Sequence, residues 1–293
     1  MNRMSPVKKV AAIHDLSGVG RASLTAIIPI LSSMGVQVCP IPTAILSSHT
    51  GGYENFTYVD LTDTMEAYID QWKELDMQFD CIYSGFLGSV RQIEIVSKAF
   101  RLFSTPDNFV VVDPVMGDDG ALYATMNLDM VEAMRHLVQQ ADIITPNFTE
   151  AALLLGREYR LDIEEDTIKD WLKDLSDLGP RIVILTSVPH EEFSKRTSVI
   201  AYNRDTEAYW KVSCDYIPAS YPGTGDAYTS VLIGSLLQGD SLPMAMERGV
   251  QFITTGIKAS YGFDYPKREG VLLERVLNTL GLPVMANSYE LLK

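Results

Sequence analysis

Phe109-Val110-Val111-Val112-Asp113-Pro114-Val115-Met116-Gly117-Asp118 joins a strand to the turn that leaves it. The run Phe109 to Val112 has no polar interruption, as expected of a strand covered on both faces in a parallel sheet. Pro114 removes a donor and stops the strand, which puts Asp113 at a carboxyl-end rim.

Outward from this stretch the chain alternates. Before it, Phe79 to Tyr83 reads as a strand and Val90 to Phe103 as a helix; after it, Leu128 to Gln140 reads as a helix and Ile143-Ile144 as a short strand. Helices follow at Thr149 to Leu155 and Thr167 to Leu178, then a buried strand at Ile182 to Leu185. Nearer the start, Val7 to Ile13 is a strand, His14 to Arg21 a loop, and Ala22 to Met34 a helix closed by Gly35. Val36 to Ile41 is a strand ended by Pro40 and Pro42, and Thr62 to Leu75 has apolar residues near helical spacing. Thr197 to Tyr202 and Ala208 to Val212 form an antiparallel pair around Asn203-Arg204-Asp205. Helices 227–237, 243–260 and 269–280 complete a single domain over 1–293, the last dozen residues being a surface tail. Such alternation predicts a three-layer α/β/α fold with a mostly parallel central sheet. Its ligand site is expected outside the carboxyl ends of the strands.

The polar motifs do follow strands. Asp113 to Asp118 makes either a strand-end turn or part of a phosphate and metal network. Thr145-Pro146-Asn147-x-x-Glu150 follows Ile143-Ile144: Asn147 can cap the next helix with Glu150 in its first turn, or the two can organise water or Mg²⁺ around phosphates. Ser84-Gly85-Phe86 follows another strand; Phe86 can stack on a flat ring or belong to the core. Thr186 and Ser187 end Ile182–Leu185 and can touch a phosphate or simply cap. His49-Thr50-Gly51-Gly52-Tyr53 reads as a loop with a structural or binding histidine.

Gly223-Thr224-Gly225-Asp226 precedes the apolar run Ala227 to Leu237. Backbone N–H groups there, with the positive end of the helix, can gather on an anion. Asp226 is then a plain N-cap, or a base accepting the proton of an attacking alcohol beside a phosphate. By contrast, Gly18-Val19-Gly20-Arg21-Ala22-Ser23 only imitates a dinucleotide fingerprint. Its third glycine is a serine, and no acidic residue ends the second strand.

Composition narrows the classes. The chain has 293 residues, 46% hydrophobic and 21% charged, and a net charge of −14. That balance argues against nucleic acid or an anionic membrane as partner. Cys39, Cys81 and Cys214 are scattered and suit buried thiols in a reducing cytoplasm, without zinc-site spacing. The start, Met1-Asn2-Arg3-Met4-Ser5-Pro6, lacks an apolar signal region, and no run approaches a membrane span. A cytoplasmic location is expected.

Taken together, Asp113-Pro-Val-Met-Gly, Thr145-Pro-Asn-x-x-Glu150 and Gly223-Thr-Gly-Asp226 resemble the ribokinase-like superfamily. Ser48-His49-Thr50-Gly51 and Ser84-Gly85-Phe86-Leu87-Gly88-Ser89 add a likeness to the pyridoxal kinase family, extending from about Val7 to the 250s. The resemblance implies ATP-dependent phosphorylation of the 5′-hydroxymethyl group of pyridoxal, pyridoxamine or pyridoxine. It implies Asp226 as base and Gly223, Thr224 and Gly225 as anion hole. Asp113 and Glu150 would serve the metal; Asp118, Thr145, Asn147, Thr186, Ser187 and Thr224 would serve ATP. Asp15, His49, Thr50, Phe86 and Asp226 would meet the vitamer. Mg²⁺ with ATP, a monovalent cation such as K⁺, and a homodimer belong to the same expectation.

Three departures stand out: Asp15 in place of a serine, the segment Leu16 to Arg21, and Phe86 where tyrosine is common. Related hydroxymethylpyrimidine kinases share the Gly-Thr-Gly turn but generally carry cysteine in place of Asp226, which favours the vitamin B6 branch. The alternatives are a hydroxymethylpyrimidine or other small-alcohol kinase of this fold, and a non-catalytic vitamer-binding protein.

Overall fold

The computed structural model describes residues 6–160, 162–188, 196–284 and 289–292. In chain order its elements are β1 (Lys9–Ser17), α1 (Leu24–Ser33), β2 (Gln37–Leu46), β3 (Tyr58–Asp60), α2 (Thr62–Glu74), β4 (Cys81–Ser84), α3 (Val90–Phe103) and β5 (Phe109–Val112). There follow a hairpin of β6 (Gly117–Asp118) and β7 (Ala121–Leu122), then α4 (Leu128–Val138), β8 (Ile143–Ile144), α5 (Phe148–Leu155), α6 (Glu165–Asp177) and β9 (Ile182–Val188). The chain continues through β10 (Arg196–Asn203), β11 (Ala208–Asp215), α7 (Thr224–Leu237), α8 (Leu242–Tyr261) and β12 (Tyr289–Leu292).

Apart from the hairpin, the strands form one sheet in the order β12-β11-β10-β9-β8-β5-β4-β1-β2-β3. The stretch from β9 to β2 is parallel throughout. The outer strands β3, β10, β11 and β12 join antiparallel. Helices α2 to α6 pack one face around Ile82, Val110 and Val112, while α1, α7 and α8 pack the other around Val10, Tyr83 and Val111. The expected three-layer α/β/α architecture is therefore present. From β1 the chain runs one way to β2 and the other way to β4, so the sheet opens a crevice at the β1/β4 boundary.

α7 fills the middle of its layer. Ala227 to Ser235 are buried without a break, so this helix shows no polar face to water. Small residues make that fit possible: a Cβ on Gly234 would crowd the Met34 thioether at the end of α1, and one on Gly249 of α8 would crowd Tyr228.

Several expectations shift. β1 runs on through His14, Asp15 and Ser17, because its pairing with β2 resumes at Leu16–Ile45 after an irregularity. β2 passes through Pro40 and Pro42 instead of ending there. On its outer side β3 pairs only with Ala44 to Leu46, so the two missing N–H groups face an unpaired edge. Residues 269–280 are not one helix: three short 3₁₀ turns, Lys267–Glu269, Leu273–Arg275 and Leu277–Gly281, wrap against α1 and α8. The expected surface tail holds β12, an exposed strand paired with β11. Residues 285–288 and 293 of that tail, like 1–5, lie outside the described residues.

Ile82 in the centre of β4 is fully buried. Ile82→Ala is expected to lower unfolding free energy by about 2–5 kcal/mol. Urea titration should show an earlier midpoint with an unchanged slope, and an unshifted midpoint would contradict this packing.

Candidate active site

At the carboxyl rim, Gly223 begins α7 with φ +81, and a Cβ there would overlap the backbone oxygen of Arg21. Asp226 is not the N-cap. It lies within the first turn and turns its side chain away from the helix end: Oδ2 accepts the Ser23 backbone N–H at 2.8 Å, and Oδ1 lies 3.8 Å from Nδ1 of His14. Its side chain is only 14% exposed. Burial raises its carboxyl from the ordinary 3.8 to about 7, against the stabilising Ser23 bond and with help from the charge of Asp15. Thr224 directs its hydroxyl to the Tyr221 carbonyl, while Gly225 is exposed, with Asp113 Oδ2 3.7 Å from where its Cβ would stand.

Asp113, at the end of β5, is buried. Its carboxyl is raised well above the usual range, first by burial and then by the charges of Glu150 and Asp226. Thr145 donates to it and receives the Thr229 hydroxyl of α7 at 3.1 Å, so a hydroxyl chain links β5, β8 and α7. Glu150 forms a capping box with Asn147: each side chain accepts the other's backbone N–H, at 2.9 and 2.8 Å. Its second oxygen accepts Met116 N–H at 3.1 Å, yet burial still raises the carboxyl to about 8. Asn147 also donates to Gly117 O at 2.8 Å, holding the β6–β7 hairpin down. Asp118 sits exposed on that hairpin, with its carboxyl raised by partial burial. Thr186 bridges to Asn147 in parallel register, and Ser187 beside it is exposed with φ +55.

Asp15 lies inside β1 and is buried; Oδ1 accepts the Ser23 hydroxyl at 2.5 Å and Oδ2 the Ser17 hydroxyl at 3.1 Å. Burial raises its carboxyl despite both bonds. His49 is also buried, and both nitrogens are used: Nδ1 accepts Gly51 N–H and Nε2 meets Arg268 O at 2.6 Å. This histidine fastens its loop, and burial lowers its pKa. Thr50 is exposed beside it, and Gly51 brings the loop to Pro222. Phe86 is half-buried and packs on the core face with α3. Asp15, Asp113, Thr145 and Asp226 therefore converge at the start of α7, while Phe86 packs on the core face with α3.

Two residues escaped the sequence reading. Ser23 ties Asp15 to Asp226 through its hydroxyl and backbone N–H, from the left-handed φ of +50. His14 stands beneath Asp226. The only hint was Ser23 itself, which spoils the glycine fingerprint at a position where a turn has to reverse. Among the described residues no group of three His, Cys, Asp or Glu side chains is arranged to hold a metal ion, and no helix is long and apolar enough to cross a membrane.

The family described as phosphomethylpyrimidine kinase matches residues 19–270. A Bacteroides thetaiotaomicron protein provisionally described as a phosphomethylpyrimidine kinase, crystallised with pyridoxal, is 56% identical and superposes with a TM-score of 0.95, covering 98% of this chain and 100% of that one. Pyridoxal kinase from Lactobacillus plantarum is 30% identical, with a TM-score of 0.85 over 93% of this chain and 96% of that one. Among curated proteins, pyridoxal kinase of Arabidopsis thaliana is 30% identical over 274 residues, 88% of this chain and 82% of its own.

The raised Asp226 carboxyl has a consequence for stability. Between the ordinary 3.8 and about 7 the folded protein keeps a proton that the unfolded chain has released. The contribution is therefore present at low pH and lost as pH rises through about 7. Asp226→Asn is expected to unfold later than the parent protein near pH 8, with the gap shrinking near pH 5. Thermal unfolding at both values measures it, and an equal gap at both would count against a buried carboxyl.

Proposed function

The chain belongs to the phosphomethylpyrimidine kinase family, and within it we propose that it transfers the γ-phosphoryl group of ATP to the 5′-hydroxymethyl group of a B6 vitamer. The observation that carries this reading is Asp226. It is a largely buried carboxyl raised to about 7, held by one backbone N–H, at the start of a helix whose first N–H groups are free of side chains. A base poised near neutral pH suits abstraction of an alcohol proton. The pyridoxal in the crystal of the Bacteroides relative, and the pyridoxal kinases among the relatives, support the vitamer as acceptor.

The step balances simply. The vitamer's hydroxyl oxygen bonds to the γ-phosphorus as its proton passes to Asp226, and the bond from that phosphorus to the bridging oxygen of ADP breaks. The N–H groups of Thr224, Gly225 and Asp226 take up charge on the phosphoryl oxygens. Gly225, exposed and without a side chain, lets the phosphate come close to the backbone, while Gly223 makes room for the Arg21 carbonyl. Asp118, Thr145, Asn147, Thr186 and Ser187 border the same rim and are assigned to ATP; Asp15, His49, Thr50 and Phe86 are assigned to the vitamer.

The acids also suit a hard divalent cation. Asp113 is raised partly by the charge of Glu150, a repulsion that Mg²⁺ would relieve. Glu150 has both oxygens on backbone donors, so Asp113 would hold the ion and Glu150 would support it through the hairpin. Mg²⁺ neutralises phosphate charge in such sites. A homodimer, a monovalent cation such as K⁺ and a cytoplasmic location complete the proposal.

Asp226→Asn is expected to lower turnover by roughly 10²–10⁴-fold, the usual worth of a general base. The parent enzyme should lose kcat/KM as pH falls below about 7. An ADP-release assay on pyridoxal, pyridoxamine, pyridoxine and hydroxymethylpyrimidine side by side tests the substrate class. Turnover of hydroxymethylpyrimidine alone would place the chain with the pyrimidine kinases, and no ADP release with any of them would reject catalysis. Chelation of divalent ions should abolish turnover, and added Mg²⁺ should restore it.

A further inference from the structure

Beneath Asp226 lies a group that the proposed reaction has not used. His14 is fully buried, and among the described residues neither of its ring nitrogens has a hydrogen-bond partner. A neutral imidazole carries one N–H donor and one lone pair, and buried groups of this kind are nearly always bonded. An apolar side chain of similar size would fill the same space without that cost.

The ring is also boxed in. Tyr83 meets it edge-on, with centroids 4.2 Å apart at 64°. Room on the β4 side exists only because residue 85 is glycine; a Cβ there would overlap the imidazole. Asp226 Oδ1 lies 3.8 Å from its Nδ1.

We propose that His14 is a positioning residue for Asp226, its Nδ1–H holding the carboxylate oxygen that Ser23 leaves free. Ser23 occupies Oδ2 at 2.8 Å, so Oδ1 is the oxygen that faces the histidine. Bringing 3.8 Å to hydrogen-bond length takes a movement of about 1 Å. The two donors, one from the backbone and one from the ring, then fix the plane of the carboxylate while it awaits the proton.

The electrostatics fit. Asp226 is faced by Asp15 and His14 from β1, Tyr83 from β4 and Asp113 from β5. The two aspartates favour a protonated Asp226, so a donor is the complement this side needs. Burial pushes the His14 pKa down to about 3, so the ring donates without becoming a cation. A cation at this distance would depress the base far more than a neutral donor does.

The inference rests on Asp226 being the base, so the experiment separates the two. Full-length His14→Leu, His14→Met, His14→Gln and Asp226→Asn are assayed with pyridoxal and ATP. His14→Leu is expected to lower kcat roughly tenfold to a hundredfold, the worth of a hydrogen bond to a charged group, with KM for ATP within about twofold. Its acid limb in kcat/KM should move up by about one to two pH units, because the carboxylate has lost a donor. The thermal midpoint should hold or rise. His14→Gln keeps an N–H and should recover most of the rate. If His14→Leu fails to fold, His14→Met takes its place. Parental kcat and an unmoved acid limb in the donor-less variant, with Asp226→Asn impaired, would overturn the role of His14 alone. Full turnover in Asp226→Asn would remove the base and this inference with it.

Discussion

Any side chain at position 223 would collide with the Arg21 carbonyl, and the rest of the site depends on that contact. With glycine at φ +81, the start of α7 lies directly on the loop that follows β1. The approach brings the Ser23 N–H to Asp226, two residues separated by more than two hundred positions in the chain. The loop is fastened from behind: Arg21 pairs with Glu274 and donates to Glu269 O, within the 3₁₀ turns that replace the expected helix over 269–280. Those turns are part of the frame that sets the carboxylate.

Electrostatics at the rim run against ordinary carboxyl behaviour. Asp15, Asp113, Glu150 and Asp226 are all raised, in each case by burial first. Their hydrogen bonds pull the other way and lose. Even Glu150, with backbone donors on both oxygens, ends at about 8. Four acids held in this way cost stability at neutral pH, as functional sites commonly do. In the proposed reaction the cation that accompanies the triphosphate would bring positive charge to Asp113. In a protein of net charge −14, the proposed compensation would come from metal and backbone N–H groups.

Sequence periodicity carried the architecture because parallel strands covered on both faces leave uninterrupted apolar runs, where β5 and β8 fall, while α3 falls on apolar residues at helical spacing. It failed where neighbours override local signals. Pro40 and Pro42 look like strand breakers but sit at an unpaired edge of β2, and His14 and Asp15 look like loop residues but belong to β1. The motif acids were legible because a strand-end position can be read from the strand before it. The links among them were not. That Thr145 bonds Thr229, that His49 closes on Arg268 O, and that Ser23 joins two aspartates are facts of tertiary approach, without a trace in local spacing. The capping box at Asn147 and Glu150 is the exception, since both partners lie within one helical turn.

Ser23 gives these contacts a common logic. Its hydroxyl donates to Asp15 and its N–H to Asp226, so one residue at a left-handed φ couples the acid assigned to the vitamer with the acid assigned to the proton. Serine rarely adopts such a backbone, and the strain persists only where surrounding contacts over-determine it. Here they do: both Ser23 donors are engaged, and the loop before it is closed by Gly223 and Arg21. Asp15 has both oxygens occupied by serine hydroxyls, so a vitamer that draws on Asp15 would displace or share the bond from Ser17 or the one from Ser23. A vitamer that took the Asp15 oxygen now held by Ser23 would act directly on the residue that holds Asp226, because the link between the two acids runs through a single serine.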